Sequence, residues 1–168
     1  WPETESFDQY DLLVVPALYA APEALLQKIN DYVAAGGHLF TTFKTGFTDE
    51  NLKVFHDSQP HILDRCLGIS YSHFTFPKQV KLSGETYHCE DNELKNFMEL
   101  VNPEGAQVLA SYDHYNWKRY AAVTRNAYGK GTATYLGCWT GDAMLREILT
   151  DVLKDAGLWG MEQEVEFP

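Results

Sequence analysis

The sequence is short of positive charge. Its 168 residues carry 13 Lys and Arg against 24 Asp and Glu, a formal net charge of -11. A nucleic-acid binder needs clustered Lys and Arg to replace counterions, and an anionic membrane surface makes the same demand, so both partners are disfavoured. Cysteine is scarce as well. Cys66, Cys89 and Cys138 are odd in number and widely spaced, which argues against a disulfide framework or a zinc site and for free thiols in a reducing compartment. No apolar stretch approaches the roughly 18 residues of a membrane-spanning helix. A glycine-rich phosphate loop is missing too: the turn Pro16-Ala17-Leu18-Tyr19-Ala20-Ala21 has no glycine to let backbone approach a pyrophosphate. No cofactor is expected on these grounds. The chain opens at Trp1 rather than Met, so a fragment or a processed form is expected and the missing leader says little about the parent.

What the sequence has is one clear strand–helix–strand unit. Leu12-Leu13-Val14-Val15 is a short apolar run that predicts a strand buried on both faces, ended by Pro16. Pro22 and Glu23 suit the first turn of a helix, and Leu25, Leu26, Ile29, Tyr32 and Val33 fall at helical spacing. Gly36-Gly37 should stop that helix through a left-handed cap, and His38 to Phe43 reads as the next strand, parallel to the first. The polar loop 44–51 then lies outside the carboxyl end of that strand.

The remainder is richer in strands. A short helix is expected between Pro60 and Gly68, then a strand over 69–76. A hairpin of Val80-Lys81-Leu82 with Thr86 to Cys89 is expected, turning at Ser83-Gly84. Residues 96–101 fit either a strand or a helical turn. Ala106 to Tyr112 reads as a strand, and Tyr120 to Arg125 forms a hairpin with Thr132 to Gly137 across Gly129-Lys130-Gly131. Met144, Leu145, Ile148, Leu149, Val152 and Leu153 make a final amphipathic helix closed by Gly157. Residues 1–160 are expected to form one α/β domain with an open mixed sheet, flavodoxin-like or amidotransferase-like, and 161–168 a linker to another domain.

Candidate chemistry is thin. Cys138 sits after a strand and before a helix, but Gly137-Cys138-Trp139-Thr140-Gly141 lacks the residue that the elbow pattern places between first glycine and nucleophile, and no histidine partner stands at a telling spacing. Asp49-Glu50 and Glu90-Asp91 are adjacent carboxylates, which seldom face each other across a sugar as glycoside hydrolysis requires. Asp49, Glu50 and Asn51 lie at the ligand-binding end of such sheets, so a contact to a partner or ligand is the functional reading there. Alternation on a strand would leave only His88 and Glu90 of His88-Cys89-Glu90 on one surface, too few for a metal. Tyr112, Tyr115 and Trp117 could stack on a sugar or simply be surface aromatics.

Several segments together resemble a known family. They are Tyr10-Asp11-Leu12-Leu13-Val14-Val15-Pro16-Ala17-Leu18-Tyr19, then Tyr32-Val33-Ala34-Ala35-Gly36-Gly37 and Thr45-Gly46-Phe47-Thr48-Asp49-Glu50-Asn51. Val108-Leu109-Ala110-Ser111-Tyr112 belongs with them, as does Ala122-Val123-Thr124-Arg125-Asn126 followed by Tyr128-Gly129-Lys130-Gly131. The pattern, covering about Tyr10 to Gly157, resembles the middle, trimerisation domain of glycoside hydrolase family 42 β-galactosidases. The resemblance implies a flavodoxin-like fold related to class I glutamine amidotransferases without their catalytic residues. It implies a bacterial, cytoplasmic, trimeric parent that releases terminal β-D-galactose, with a catalytic barrel before this segment and a small β domain after it. No catalytic position carries over to this chain. The family's domain opens with a further strand and helix, which are missing here. The strand at Leu12 to Val15 is therefore expected to be an open edge through which the isolated chain self-associates, unless Trp1 to Phe7 folds back into the gap. Two rivals from other classes are an amidotransferase-like enzyme using Cys138 and a carbohydrate-binding module using Tyr112, Tyr115 and Trp117.

Overall fold

In a computed structural model, which describes residues 4–160, the apolar run near the start forms β1 (Leu12–Val15), the amphipathic stretch α1 (Glu23–Ala35) and the next run β2 (His38–Thr42). Pro22 occupies the N-cap position of α1, and Gly36 ends it at φ 131° rather than in the left-handed helical well. One 3₁₀ turn (His61–Leu63) leads into α2 (Asp64–Leu67), which Gly68 caps at φ 60°. Short strands follow: β3 (Ile69–Ser70), β4 (Phe74–Thr75), β5 (Lys81–Ser83), β6 (Met98–Glu99) and β7 (Asn102–Pro103). The long strands β8 (Gln107–Asp113), β9 (Ala121–Tyr128) and β10 (Gly131–Leu136) and the helix α3 (Asp142–Asp155) complete the chain.

The principal sheet has six strands in the order β1-β2-β10-β9-β8-β5. β1, β2 and β10 are parallel, and β9, β8 and β5 add antiparallel pairings. It is a mixed sheet in a mixed α/β domain. Alternation sends Leu39, Ala133 and Tyr135 to one face, where they meet α1 and α2. Phe40, Ala122 and Leu136 go to the other, where they meet Met144, Ile148 and Val152 of α3. Each large apolar side chain buried there stabilises the fold by roughly 1.5–3 kcal/mol.

The Gly-Lys-Gly turn between β9 and β10 is more constrained than a plain hairpin requires. It packs against the end of α1: Lys130 N–H donates to Ala34 O at 3.1 Å. A Cβ on Gly129 would lie 2.4 Å from that same carbonyl oxygen, and one on Gly131 2.2 Å from Gly37 O. Glycine is needed at both positions because backbone meets backbone there.

Three expectations are corrected. β1 is not buried on both faces: Leu13 and Val15 are buried, but Val14 is 53% exposed, because among the described residues β1 has β2 as its only sheet neighbour. Residues 69–76 do not form one strand, since β3 and β4 belong to separate two-stranded ribbons with β7 and β6. The hairpin at Ser83-Gly84 does not form. β5 pairs with β8 instead, and the chain returns through Asn92 and Leu94, which bond Leu82 and Val80. The intervening loop reaches across to α3: Tyr87 Oη donates to Asp151, and the N–H groups of His88 and Cys89 donate to the Glu147 carboxylate at 2.7 and 2.9 Å. A local turn signal lost to these longer-range contacts. Of the segment Trp1 to Phe7, residues 4–7 lie along α1, with Phe7 edge-on to Tyr32 and Lys28 Nζ donating to Thr4 O, and belong to no strand among the described residues; residues 1–3 lie outside the described residues. The proposed linker, residues 161–168, lies outside the described residues.

Candidate functional site

In open α/β sheets a ligand crevice opens beyond the carboxyl ends of the parallel strands, where successive connections leave toward opposite faces. Here that place lies between β2 and β10, since α1 packs on one face and α3 on the other. It is filled. Residues 95–99 run antiparallel to 137–139: Lys95 N–H donates to Trp139 O, Trp139 N–H to Phe97 O and Glu99 N–H to Gly137 O, at 2.8, 2.9 and 2.8 Å. The segment carries Met98 and Glu99, both fully buried, into the space that a ligand would need.

Glu99 is the centre of the resulting cluster. Its Oε1 accepts the backbone N–H of Lys44 at 2.9 Å, and its Oε2 accepts Tyr135 Oη at 2.6 Å. Tyr112 Oη donates to the Glu99 carbonyl at 2.7 Å. The Tyr71 hydroxyl is buried against the same carboxylate, outside ordinary hydrogen-bond geometry. Burial pushes the Glu99 carboxyl up to about 7, against the opposing effect of its hydrogen bonds and of the Lys44 charge. Lys44 itself sits at φ 63° just past β2. Its ammonium lies 3.3 Å from the centre of the Phe74 ring, 3.7 Å from Phe47 and 5.4 Å from Phe97. Burial lowers its pKa, and Glu99 opposes that. The sequence signal for Glu99 was a lone carboxylate inside the apolar run Phe97-Met98-Glu99-Leu100-Val101, where burial demands partners.

The residues singled out from sequence fall in different places. Asp49 shapes its own loop, its Oδ1 accepting the N–H groups of Asn51 and Lys53 at 2.9 and 2.8 Å. Glu50 and Asn51 are exposed beside it. Tyr112 is not a surface aromatic: it is fully buried, placed inside by the same strand alternation that buries Ala110. Tyr115 is 81% exposed, and Trp117 is half-buried. Both lean on His114, with ring centroids 4.7 and 4.0 Å away. The structure thus separates Tyr112 from the other two.

Cys138 is sealed in the core, and burial, reinforced by Glu99, pushes its thiol far above the usual range. Four of the six histidine side chains are engaged elsewhere: His38 with Thr132, His61 with Asp57, His73 with Ser72 and His114 with Trp117. Among the described residues no group of three or more His, Cys, Asp or Glu could hold a metal ion.

The domain is thus mixed α/β, with its crevice occupied by its own chain and Cys138 walled off. Comparison with known proteins gives its family. The profile of the family described as β-galactosidase trimerisation domain matches residues 1–159, and the chain belongs to that family. β-Galactosidase LacA of Lactobacillus acidophilus is 33% identical over 159 residues, 92% of this chain and 23% of LacA. β-Galactosidase BbgII of Bifidobacterium bifidum is 29% identical, covering 94% and 24%. The solved β-galactosidase of Rahnella sp. R3 superposes with a TM-score of 0.83 at 25% identity, covering 94% of this chain and 24% of that one. The chain therefore spans about a quarter of the length of the curated relatives it matches.

Proposed function

We propose that this chain is the non-catalytic, subunit-joining middle domain of a retaining β-galactosidase that acts on terminal β-D-galactose. Its catalytic barrel lies elsewhere in the parent, and the partners of this domain are that barrel and two further copies of the parent. The observation that carries the proposal is the family match across residues 1–159, in relatives of which this stretch is only about a quarter. The packed crevice and the buried Cys138, whose thiol burial pushes up, support it against an amidotransferase-like enzyme. The parallel strands with a helix on each face fit a flavodoxin-like or amidotransferase-like ancestry, and the named bacterial relatives fit a bacterial cytoplasmic parent.

The purified chain should not turn over a chromogenic β-galactoside, because a retaining mechanism needs two opposed carboxyl groups roughly 5–5.5 Å apart. Turnover that disappears on replacing any one of Asp49, Glu50, Glu90 or Asp91 would place catalysis in this chain and overturn the proposal. The isolated chain is expected to self-associate, with Asp49, Glu50 and Asn51 as a partner-facing loop. The open β1 edge offers one surface for this, and light scattering of the chain against Val14→Lys tests whether that edge is used. A sugar-contacting role for Tyr115 and Trp117 is the second reading. The stack they form with His114 favours it.

A further inference from the structure

A chain of aromatic rings runs across the carboxyl end of the parallel strands. Tyr19 packs on Phe47 at 5.4 Å between centroids, Phe47 on Phe74 at 6.3 Å, Phe74 on Phe97 at 5.4 Å, Phe97 on Phe43 at 5.1 Å and Phe43 on Trp139 at 6.2 Å. Much of it faces water. Phe74 and Trp139 are each 48% exposed and Tyr19 44%, and Phe76, two residues beyond Phe74, is 76% exposed. Val54, 48% exposed, shares a groove with Phe47 and Phe74. Soluble monomers seldom leave so continuous an apolar surface uncovered. The crevice between β2 and β10 beneath it is packed by the chain itself, and the exposed rings spread well beyond the one groove, so the rim suits a broad macromolecular contact better than a substrate.

Charge and symmetry select the occupant. Each copy carries a net charge of -11, so two copies can approach closely only where that charge is thin. The rings meet this condition: Lys44, held over Phe74 and Phe47, offsets the buried Glu99 carboxylate on its inner side, so no net negative charge sits among them. Pairing of the β1 edge with the same edge of another copy is related by a two-fold axis and closes as a dimer. A ring of three needs a head-to-tail contact between two different surfaces. The family to which the chain belongs is described by trimerisation, so an edge-to-edge pair cannot be its contact.

We infer that the aromatic rim around Lys44, with the exposed rings Phe74 and Trp139 and with Phe76 two residues beyond Phe74, is the surface by which one subunit docks head-to-tail on the next copy of the chain. This rests on the subunit-joining function proposed above. Sedimentation and light scattering over a wide range of chain concentration test it with three proteins: the chain itself, a Phe76→Glu/Trp139→Glu variant and Val14→Lys. Near-ultraviolet circular dichroism checks that each is folded, and Phe76→Glu alone serves if the double variant is not. The expected result is a mass of three copies for the parent chain, association weakened at least tenfold by the rim variant, and the mass kept by Val14→Lys. A trimer indifferent to the rim variants would overturn the rim and leave the subunit-joining function standing, the rim then being covered by another domain of the parent. A dimer lost only in Val14→Lys would also overturn the rim. A monomer for the parent chain at every concentration would count against autonomous association by this domain, and the rim assignment would fall with it.

Discussion

The two sides of the sheet are held by different means. On one, α1 buries Leu25, Leu26, Ile29, Asn30, Tyr32 and Val33, and packing dominates the contact. On the other, α3 buries Met144, Ile148 and Val152 and is tied down by charge. Arg125 Nη2 lies 2.8 Å from Asp151 and Nη1 3.4 Å from Asp155. Thr132 Oγ1 donates to Asp155 at 2.8 Å. Tyr87 and the N–H groups of His88 and Cys89 complete the set. A narrow apolar stripe seats a helix loosely about its own axis, and directional polar contacts fix the rotation that packing leaves free. The wide stripe of α1 carries more of the load by packing, with fewer charged ties and hydrogen bonds such as Tyr32 Oη to Tyr10 O at 2.9 Å.

The contrast can be broken most forcefully on the packed side. Leu26 of α1 is fully buried, and Leu26→Ala is expected to cost about 3–5 kcal/mol in urea unfolding, through lost transfer energy and the cavity left behind. A loss below 1 kcal/mol would show that packing is not what holds α1.

Glu99 sits on the seam, bonded to Tyr135 from the α1 side and to Tyr112 from the α3 side. Its folded-state pKa of about 7 stands above the ordinary value of 4.5. Below pH 4.5 both folded and unfolded states hold the proton, and no difference arises. Between about 4.5 and 7 the folded state keeps a proton that the unfolded state has released, so stability falls as pH rises. Above 7 both are ionised and the loss is complete, amounting to about 3 kcal/mol at roughly 1.4 kcal/mol per unit. Glu99→Gln should remove this slope between about pH 4.5 and 7. Urea titrations of both proteins at several pH values check it; an unchanged slope in the variant would assign the effect to other groups.

The smallest expected effect sharpens the comparison on the polar side. Arg125→Met, which keeps the stem and deletes the charge, should cost about 1–2 kcal/mol. It should also reduce the salt sensitivity of unfolding, since the Arg125 pair is partly exposed and therefore screened. Equal salt dependence in the two proteins would remove charge from the account of α3.

How much of this was legible follows from the range of each signal. The βαβ unit and the β9–β10 hairpin were readable because apolar period and turn residues settle them locally. The parallel register of β1 with β2 came with the unit. The middle of the chain was not readable. Ser83-Gly84 advertised a hairpin, but Lys81 to Ser83 found a better partner in β8, and the residues after the turn were drawn to Glu147 and Asp151 of α3. No local window contains those carboxylates. At the candidate site, Asp49's loop was placed correctly at the end of β2, whereas Tyr112 was misjudged although its alternation with Ala110 already pointed inward. Glu99 went unnoticed because its partners Lys44, Tyr112 and Tyr135 converge on it from three distant segments.

The place of β10 between β2 and β9 has a consequence for biosynthesis. β2 emerges from the ribosome early, while the strand that completes its pairing is made only near the end of the domain. Until then the inner edge of β2 has no lasting neighbour, and α1 lacks the hairpin turn that fits its C-terminal end. The domain should therefore fold late and as a whole, after Leu136 has been synthesised, with the βαβ unit waiting as a sticky nascent segment. A chain arrested before β10 is complete should be a chaperone client, however well its first half reads as an independent unit.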